Sequence, residues 1–331
     1  MKLSIGIVGL PNVGKSTLFK ILTSQEVHIA NYPFATVDPN VGIVTVPDER
    51  LQKLTAVSNS KKTIPAVVEF YDIAGLVKGA SKGEGLGNQF LTHIRDTQAI
   101  VLVLRLFQNP EIIHVEGAPD PLRDLEILLA ELILKDLDTV ERRLGKLEGE
   151  ARSGDKKAIA NLEALKKLRG ILAEGKPALP MAGEEIVKEL NLLTAKRMVA
   201  LLNGEEKDAS ETLKKRLAEL GADYLAMDLG GAPDVTPLIR EAYKILGLIS
   251  FFTTGEDETR AWTIVAGEKT PQAAGAIHSD FEKNFIRAEV VSAEDLLAAG
   301  GWTQAKQKGK IRLEGKDYVV KDGDVMVIRH G

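Results

Sequence analysis

Short apolar runs alternate with polar segments through the first part of the chain. Four runs are rich in Val, Ile, Leu or Ala and have the length of buried strands: residues 3–8, 41–46, 66–72 and 99–107. Helical spacing falls between them, at residues 16–22 and 87–96. Strands that alternate with helices predict an α/β fold, in which helices cover both faces of a doubly wound, mostly parallel sheet.

From residue 121 the apolar spacing changes to three and four residues, which is the period of a helix. A turn signal at residues 152–155 separates two narrow apolar stripes on charged segments. The first stripe contains Leu122, Leu125, Leu129, Leu132, Val140, Leu144 and Leu147, and the second contains Ala158, Leu162, Leu165, Leu168 and Leu172. This pattern predicts an antiparallel helical hairpin of the coiled-coil type, which is either an arm for a partner or an ordinary helical subdomain.

Beyond the hairpin the pattern returns to alternating elements. Residues 197–202 and 222–227 are predicted strands, and residues 235–246 are a predicted helix. The predicted domains are an α/β domain of residues 1–120 and 196–248, an inserted helical domain of residues 121–195, and a small mixed α+β domain of residues 249–331.

Composition narrows the possible functions. A hydrophobic share of 44% in 331 residues suffices for two or three domains. The net charge of -4 gives no overall attraction to nucleic acid or to an anionic membrane, so a nucleic-acid contact needs a local patch. The absence of cysteine excludes disulfides, cysteine-ligated zinc and thiol nucleophiles.

The longest apolar run, residues 99–104, is too short to cross a bilayer. The first predicted strand begins too early to leave room for a signal peptide. We therefore expect a cytoplasmic, monomeric protein without a membrane or DNA partner.

The segment from Gly9 to Thr17 matches the phosphate-binding pattern G-x-x-x-x-G-K-[ST] between a predicted strand and a predicted helix. Gly9 and Gly14 allow backbone N–H groups to face an anion at the helix N-terminus. Lys15 can then reach the β- and γ-phosphates of a nucleoside triphosphate, and the Ser16 hydroxyl can bind Mg²⁺. The predicted nucleotide contacts of this loop are Pro11, Asn12, Val13, Gly14, Lys15, Ser16 and Thr17.

Two further segments favour a nucleotide switch over a metabolic kinase. Asp72, at the end of a predicted strand, is expected to hold Mg²⁺ through water, and Gly75 to donate its N–H group to the γ-phosphate. Thr36 can place its hydroxyl on Mg²⁺ while triphosphate is bound and release it after hydrolysis. The order of these segments along the chain predicts a protein that senses the third phosphate.

The catalytic group is less directly indicated. Many switch GTPases carry Gln directly after the equivalent of Gly75, where this chain has Leu76, which cannot orient water. His114 is a candidate to position water or accept its proton, although a packing role in a loop is the other interpretation. Asn12 is a candidate ligand for K⁺, which would supply the charge of an arginine finger, unless its amide makes only a loop hydrogen bond.

Base recognition is predicted at Asn203, Gly204 and Glu206, where many GTPases have Asn-Lys-x-Asp for guanine. Gly204 lacks the Lys side chain that stacks on the base, and Glu206 places its carboxylate one methylene farther out than Asp. A displaced acceptor loses its discrimination, which weakens the case for GTP and favours ATP. The other interpretation is a polar surface turn.

A basic cluster lies near the end of the chain at Lys306, Lys308, Lys310, Arg312 and Lys316. This spacing is suitable for contacts with RNA phosphates. Because Gln and Gly interrupt the cluster, a solvated surface loop fits the pattern equally well.

Over nearly its whole length the sequence resembles the YchF (Obg-like ATPase) family of translation-factor-class P-loop proteins. The motifs that carry the resemblance are residues 9–17, 31–40 (NYPFATVDPN), 72–81 (DIAGLVKGAS) and 203–206, with the C-terminal segments 260–264, 271–278, 280–283, 285–288 and 315–318.

The resemblance implies a G-domain, an inserted helical hairpin and a C-terminal TGS domain of the ubiquitin-like β-grasp fold. It implies a preference for ATP over GTP, a hydrophobic residue at the position of the usual Gln, as at Leu76, and a catalytic histidine at the position of His114. Family members are linked to ribosomes and to stress responses. Gly204 departs from the larger, often apolar residue of the family, which leaves the degree of ATP preference open.

The sequence thus favours a nucleotide switch that hydrolyses ATP with Mg²⁺ and engages the ribosome or its RNA in translation or stress regulation. An Obg-like GTPase of ribosome assembly is the first alternative. A non-catalytic scaffold stabilised by bound nucleotide is the second.

Overall fold

The computed structural model describes residues 4–24, 40–72, 94–152, 154–231 and 233–331. The strands within these ranges are β1 Ser4–Val8, β2 Val41–Thr45, β3 Lys62–Ile64, β4 Val67–Asp72, β5 Ala99–Arg105, β6 Arg197–Asn203, β7 Asp223–Met227, β8 Leu248–Thr254, β9 Glu258–Val265, β10 Phe285–Ser292, β11 Arg312–Glu314 and β12 Asp324–His330. The α-helices are α1 Lys15–Thr23, α2 Glu49–Ser58, α3 Pro121–Ala151, α4 Lys156–Ala173, α5 Glu185–Glu189, α6 Glu211–Glu219, α7 Thr236–Ile245, α8 Thr270–Ile277, α9 Ser279–Lys283, α10 Ala293–Ala299 and α11 Trp302–Gln307.

The first sheet has the strand order β2-β4-β1-β5-β6-β7. β1 pairs in parallel with β4 and β5, and β6 pairs in parallel with β5 and β7. Every residue of β5 is buried, as expected for a strand covered on both faces. The predicted α/β fold with a doubly wound, mostly parallel sheet is confirmed.

The register of this sheet brings the candidate residues to one edge. Asp72 at the end of β4 lies opposite Ile7 of β1, just before the phosphate-binding sequence. Asn203 at the end of β6 lies opposite Arg105 at the end of β5. Ligands of open α/β sheets bind outside the carboxyl ends of the strands, which is where these residues lie.

Helices α3 and α4 form the predicted hairpin, and their apolar stripes are largely buried. The Asp120 carboxylate caps α3 by accepting from the Arg123 N–H group, and the Asp155 carboxylate caps α4. Inside α3, the buried Asp136 accepts hydrogen bonds from the N–H groups of Leu193 and Thr194 at 2.8 and 2.7 Å. These bonds tie α3 to the segment that leads into β6.

The helix predicted at residues 87–96 is described only at 94–96, where the chain is helical. Thr36, Gly75 and Leu76 lie outside the described residues. No helix of the described ranges is long and apolar enough to cross a membrane.

The second sheet has the order β11-β10-β12-β8-β9-β3 and is mixed. β8 pairs antiparallel with β9, and β10 antiparallel with β11 and β12, whereas β12–β8 and β3–β9 are parallel. Phe251, Val290 and Met326 of this sheet form a core with Ala273 and Ala274 of α8. Helices and a mixed sheet in this region agree with the predicted α+β pattern.

The contacts divide the chain into two compact units. The first contains the described residues of 4–24, 40–42 and 69–238, and the second contains 43–68 and 239–331. Helix α2 and strand β3 therefore belong with the C-terminal sheet, which the sequence pattern did not indicate. The predicted domain boundaries at 120/121, 195/196 and 248/249 stay predictions.

Candidate functional site

The phosphate-binding sequence forms a tight loop between β1 and α1. Asn12 and Gly14 have positive φ angles of 62° and 108°. A side chain at Gly14 would come within 2.4 Å of the Asn203 Nδ2 atom, and one at Gly9 within 2.7 Å of the Val103 carbonyl oxygen. Close packing therefore requires both glycines, and at Gly14 the backbone conformation favours glycine as well. The Leu18 N–H group donates to the Gly14 carbonyl as the helix begins.

Lys15 is the buried cation of this loop, with 7% of its surface exposed. Its Nζ atom donates to the Leu10 carbonyl oxygen at 2.7 Å. Burial lowers the pKa of Lys15 from 10.5 to about 8, and the nearby Asp72 carboxylate opposes this shift. An anion that replaced the Leu10 carbonyl oxygen would therefore contact an ammonium group that is only weakly hydrated, and would stabilise its positive charge.

Ser16 and Thr17 follow Lys15 in the first turn of α1, and both are exposed. Burial raises the pKa of Asp72, and the positive charge of Lys15 opposes the shift. A hydroxyl and a carboxylate are oxygen ligands of the type that Mg²⁺ prefers, so Ser16 and Asp72 fit this ion chemically. Among the described residues no cluster of three or more His, Asp or Glu side chains suits a metal.

Asn203 links the phosphate-binding loop to the segment after β7. Its Nδ2 atom donates to the Val13 carbonyl oxygen at 2.8 Å, and its Oδ1 atom accepts from the Leu229 N–H group at 3.1 Å. Only 3% of Asn203 is exposed, so it is not part of a polar surface turn. The structure thus brings a residue predicted from a base-recognition motif into direct contact with the phosphate loop.

Gly204 has a structural reason to lack a side chain. Its φ angle is 146°, and its N–H group donates to the Met227 carbonyl at 3.0 Å. An added Cβ atom would lie 2.7 Å from the Cβ atom of Leu106. Glu206 is exposed, and one of its carboxylate oxygens accepts from the Tyr224 hydroxyl at 3.3 Å.

His114 is buried, with its ring turned towards α3. The Nδ1 atom accepts from the Glu116 N–H group at 3.2 Å, so the proton resides on Nε2, which lies 2.8 Å from the Asp124 carboxylate. Burial raises the pKa of Asp124, and the hydrogen bond with His114 opposes this shift. Both ring nitrogens are engaged, so in this conformation His114 has no free atom for water.

The loop that carries His114 nevertheless lies against the phosphate loop. The Asn12 Nδ2 atom donates to the Ile113 carbonyl oxygen at 3.0 Å. The Asn12 side chain therefore makes a hydrogen bond between loops, which was one of the two interpretations of this residue. Its Oδ1 atom takes no part in that bond.

Arg105 is a residue of this site that the sequence analysis missed. Its guanidinium group is buried and donates to the carbonyl oxygens of Phe107, Asn109 and Ile112 at 3.0–3.1 Å. These three bonds fix the loop between β5 and His114. An arginine at the end of an otherwise apolar strand was the available signal.

The basic cluster near the end of the chain is partly neutralised. Lys310 pairs with Asp295 at 3.0 Å, and Arg312 pairs with Glu314 at 3.0 Å. Lys308 donates to the Ala299 carbonyl oxygen at 3.4 Å. The side chain of Lys306 has no hydrogen bond or ion pair with the part of the chain that the structure describes.

Two family models match the sequence. Residues 4–139 match the family described as 50S ribosome-binding GTPase. Residues 248–331 match the C-terminal family of YchF-type GTPases, whose description is a protein of unknown function.

Curated relatives and a solved structure match nearly the whole chain. The ribosome-binding ATPase YchF of Bacillus subtilis is 47% identical over 363 residues, with 99% of both chains covered. The ribosome-binding ATPase YchF of Escherichia coli O157:H7 is 46% identical, with 98% of both covered. The structure of the Schizosaccharomyces pombe YchF GTPase has a TM-score of 0.86 at 38% identity, and it covers 99% of this chain and 98% of that one.

Proposed function

The chain belongs to the YchF family, and from this membership we propose that it is a ribosome-associated nucleotide switch that binds and hydrolyses ATP. The observation that carries the proposal is the phosphate-binding loop, in which Lys15 is buried and Asn203 holds the loop to the base-recognition segment. Loops of this geometry bind the phosphates of nucleoside triphosphates. The relatives named above are ribosome-binding ATPases, which supports ATP as the nucleotide and the ribosome as the partner.

Each residue of the loop has a proposed role. Backbone N–H groups of residues 11–17 surround the phosphates, and the Lys15 ammonium group moves from the Leu10 carbonyl to the β- and γ-phosphate oxygens. Mg²⁺, held by Ser16, Thr36 and Asp72, would neutralise charge on the phosphates. Gly75 would donate its N–H group to the γ-phosphate, a hydrogen bond that exists only while the triphosphate is bound.

Hydrolysis needs a group that orients water. We assign this role to His114, which must first leave Asp124, because both of its ring nitrogens are engaged in the described conformation. The bond between Asn12 and Ile113 keeps this loop close to the phosphates. The Asn12 Oδ1 atom is the proposed ligand for K⁺.

Base selection is assigned to the segment of Asn203, Gly204 and Glu206. The backbone at Gly204 leaves no room for the Lys stem that stacks on guanine in GTPases, which favours ATP over GTP. The remaining assignments are a helical arm at residues 121–195, a TGS domain at 249–331 with RNA contacts at Lys306, Lys308, Lys310 and Arg312, and a cytoplasmic location.

Calorimetric titration of ATP, ADP and GTP with Mg²⁺, with and without K⁺, tests the proposal. We expect tighter binding of ATP than of GTP, and an affinity loss of about 100-fold or more in Lys15→Ala, because a charge-assisted contact to phosphate is removed. Lys20→Ala, which removes an exposed lysine of the same helix, is the matched control. Tighter binding of GTP would favour the GTPase alternative, and binding without any turnover in the presence of ribosomes would favour the scaffold.

A further inference from the structure

Arg105, the last residue of β5, is buried although it carries a positive charge. Only 1% of its surface is exposed, and its side chain makes no ion pair within the described ranges. Its Nε, Nη1 and Nη2 atoms instead donate to the carbonyl oxygens of Phe107 at 3.1 Å, Ile112 at 3.0 Å and Asn109 at 3.1 Å. The guanidinium carbon also lies 4.2 Å from the centre of the Phe107 ring.

This arrangement depends on the planar fork of a guanidinium group. A lysine ammonium group is a compact charge on a flexible stem, so it cannot serve three fixed carbonyls in these directions. Removing a charge from water is costly, and the three hydrogen bonds offset that cost only while the loop keeps its conformation. The buried charge of Arg105 and the conformation of the loop therefore stabilise each other.

Residues 107–112, which we call the fixed segment, are held from two sides. Arg105 binds the carbonyl oxygens at positions 107, 109 and 112. The Phe107 N–H group donates to the Asn203 carbonyl oxygen at 3.1 Å, and the amide of Asn203 holds the phosphate loop. The Glu111 N–H group donates to the Asn109 Oδ1 atom at 2.9 Å. The fixed segment is therefore joined to the same end of β6 as the phosphate loop.

Residues 113–117, which we call the histidine turn, are held less firmly. The Gly117 N–H group closes the turn by donating to the His114 carbonyl oxygen at 3.0 Å. In the part of the chain that the structure describes, the turn makes two hydrogen bonds with other segments, one from Asn12 to the Ile113 carbonyl and one between His114 and Asp124. Ile113 is 78% exposed. The histidine turn can therefore move while the fixed segment stays in place.

We propose that Arg105 is the positioning residue for His114. By holding the fixed segment, Arg105 keeps the start of the histidine turn beside the phosphate loop when His114 leaves Asp124. The imidazole ring then moves on a short tether, and fewer backbone conformations are given up when it reaches the phosphates. The inference rests on the proposed hydrolysis of ATP through His114, and it names the residue that places this group.

A direct action of Arg105 on the nucleotide does not fit the geometry. An arginine finger presents its guanidinium group to the γ-phosphate. The guanidinium group of Arg105 is enclosed by the fixed segment and would have to break three hydrogen bonds to reach a phosphate. Its effect on hydrolysis therefore passes through the loop.

Arg105→Lys tests the inference, because it keeps the positive charge and removes the fork. We expect the turnover number for ATP to fall about 10- to 100-fold, the effect of misplacing a catalytic group by about 1 Å. The dissociation constant of ATP with Mg²⁺, measured by calorimetry, should not change. Arg197→Lys, at the exposed start of β6, is the matched control and should alter neither quantity.

A double-mutant cycle shows whether Arg105 acts through His114. In a His114→Ala background, Arg105→Lys should cause no further loss of turnover, since the group that it positions is absent. A contribution of Arg105 to the fold alone would lower turnover by the same factor in both backgrounds, which would overturn the inference.

Hydrogen–deuterium exchange gives a readout that needs no hydrolysis. We expect faster exchange of the Phe107, Glu111 and Ile112 N–H groups in Arg105→Lys, because their hydrogen bonds depend on the conformation of the fixed segment. Exchange in α3 should not change.

Phe107→Leu is a milder variant for the case in which Arg105→Lys does not fold. It removes the ring beside the guanidinium group and keeps the three carbonyls. Turnover should fall about 2- to 5-fold, the effect of losing one cation–π contact, with unchanged affinity for ATP.

Full turnover in Arg105→Lys, unchanged exchange of the fixed segment, or equal losses of turnover and ATP affinity would overturn the inference. A chain in which His114→Ala lowers turnover but Arg105→Lys does not overturns the inference alone. An unaltered chain that hydrolyses no ATP, together with faster exchange in Arg105→Lys, overturns the proposed function and confirms that Arg105 holds the loop.

Discussion

At Lys15, the cost of burial and the requirement for positive charge oppose each other. Burial lowers its pKa to about 8, so the free protein loses this proton within an accessible pH range. Phosphate binding favours the protonated form and raises the pKa. The residue therefore couples nucleotide binding to proton uptake above pH 8.

We predict from this coupling that ATP affinity is constant below about pH 8 and falls above it. The fall approaches tenfold per pH unit until the pKa of the nucleotide-bound state is reached, since each pKa unit is worth about 1.36 kcal/mol. Titration of ATP at several pH values between 7 and 10 measures the effect, and Lys20→Ala should give the same profile as the unaltered chain. An affinity that does not change with pH over this range would show that Lys15 keeps its proton.

His114 gives a second prediction at the scale of one residue. His114→Ala should reduce the turnover number for ATP about 100- to 10,000-fold, the usual contribution of a positioned acid or base, and leave the ATP dissociation constant unchanged. Asp124→Asn keeps a hydrogen-bonding partner for Nε2 but removes its charge, so hydrolysis should persist. Steady-state hydrolysis and equilibrium binding distinguish the two effects. Full turnover in His114→Ala would show that a group other than His114 catalyses hydrolysis.

At the scale of the elements, the hairpin and the end of β6 depend on different kinds of information. The stripes of α3 and α4 follow from apolar residues at helical spacing, and the caps at Asp120 and Asp155 are local signals too. The tie between Asp136 and Thr194 joins residues that are 58 positions apart. No local pattern indicates such a bond, because its partner is chosen by packing.

The backbone at the end of β6 leads to a prediction about stability. Gly204→Ala should destabilise the first unit by about 1–3 kcal/mol, because alanine is strained at a φ of 146° and would approach Leu106 too closely. The same change should also weaken ATP binding, because it would displace the neighbouring Asn203, whose amide holds the phosphate loop at the Val13 carbonyl. The midpoint of chemical unfolding and ATP calorimetry measure both effects.

Gly170→Ala is the control, since this glycine lies in α4 and an added Cβ atom would meet nothing within 4 Å. It should stabilise the helix by about 0.5–1 kcal/mol. If the Gly204→Ala variant is as stable as the unaltered chain, the loop at Leu106 moves to accommodate the alanine side chain at no cost in stability.

At the scale of the whole molecule, the chain builds two sheets whose strands do not follow the order of the sequence. Strand β3 belongs to the second sheet, although it lies in sequence between β2 and β4 of the first. Helix α2 likewise belongs to the second unit. The segment between strands β2 and β4 of the first sheet is therefore also part of the second unit.

A switch should associate with its partner according to the bound nucleotide. We predict that co-sedimentation with ribosomes differs between ADP and a non-hydrolysable ATP analogue, since only the analogue presents a third phosphate to Gly75 and Thr36. Lys15→Ala should give the same co-sedimentation in both conditions. Equal co-sedimentation of the unaltered chain with both nucleotides would contradict the switch.

The sequence alone determined the features that depend on neighbouring residues. The phosphate loop is visible because its glycines, lysine and serine occur at fixed offsets between a strand and a helix. The hairpin is visible because apolar residues recur at the helical period. The parallel sheet follows from the alternation of the two patterns.

The tertiary structure alone decided which distant groups meet. It paired His114 with Asp124, placed the Asn203 amide on the Val13 carbonyl, and neutralised Lys310 and Arg312 with carboxylates. It also stacked the ring of Phe281 on that of His330. Such contacts depend on strand order, register and the turn of each side chain, which are fixed by long-range packing and leave no periodic mark on the sequence.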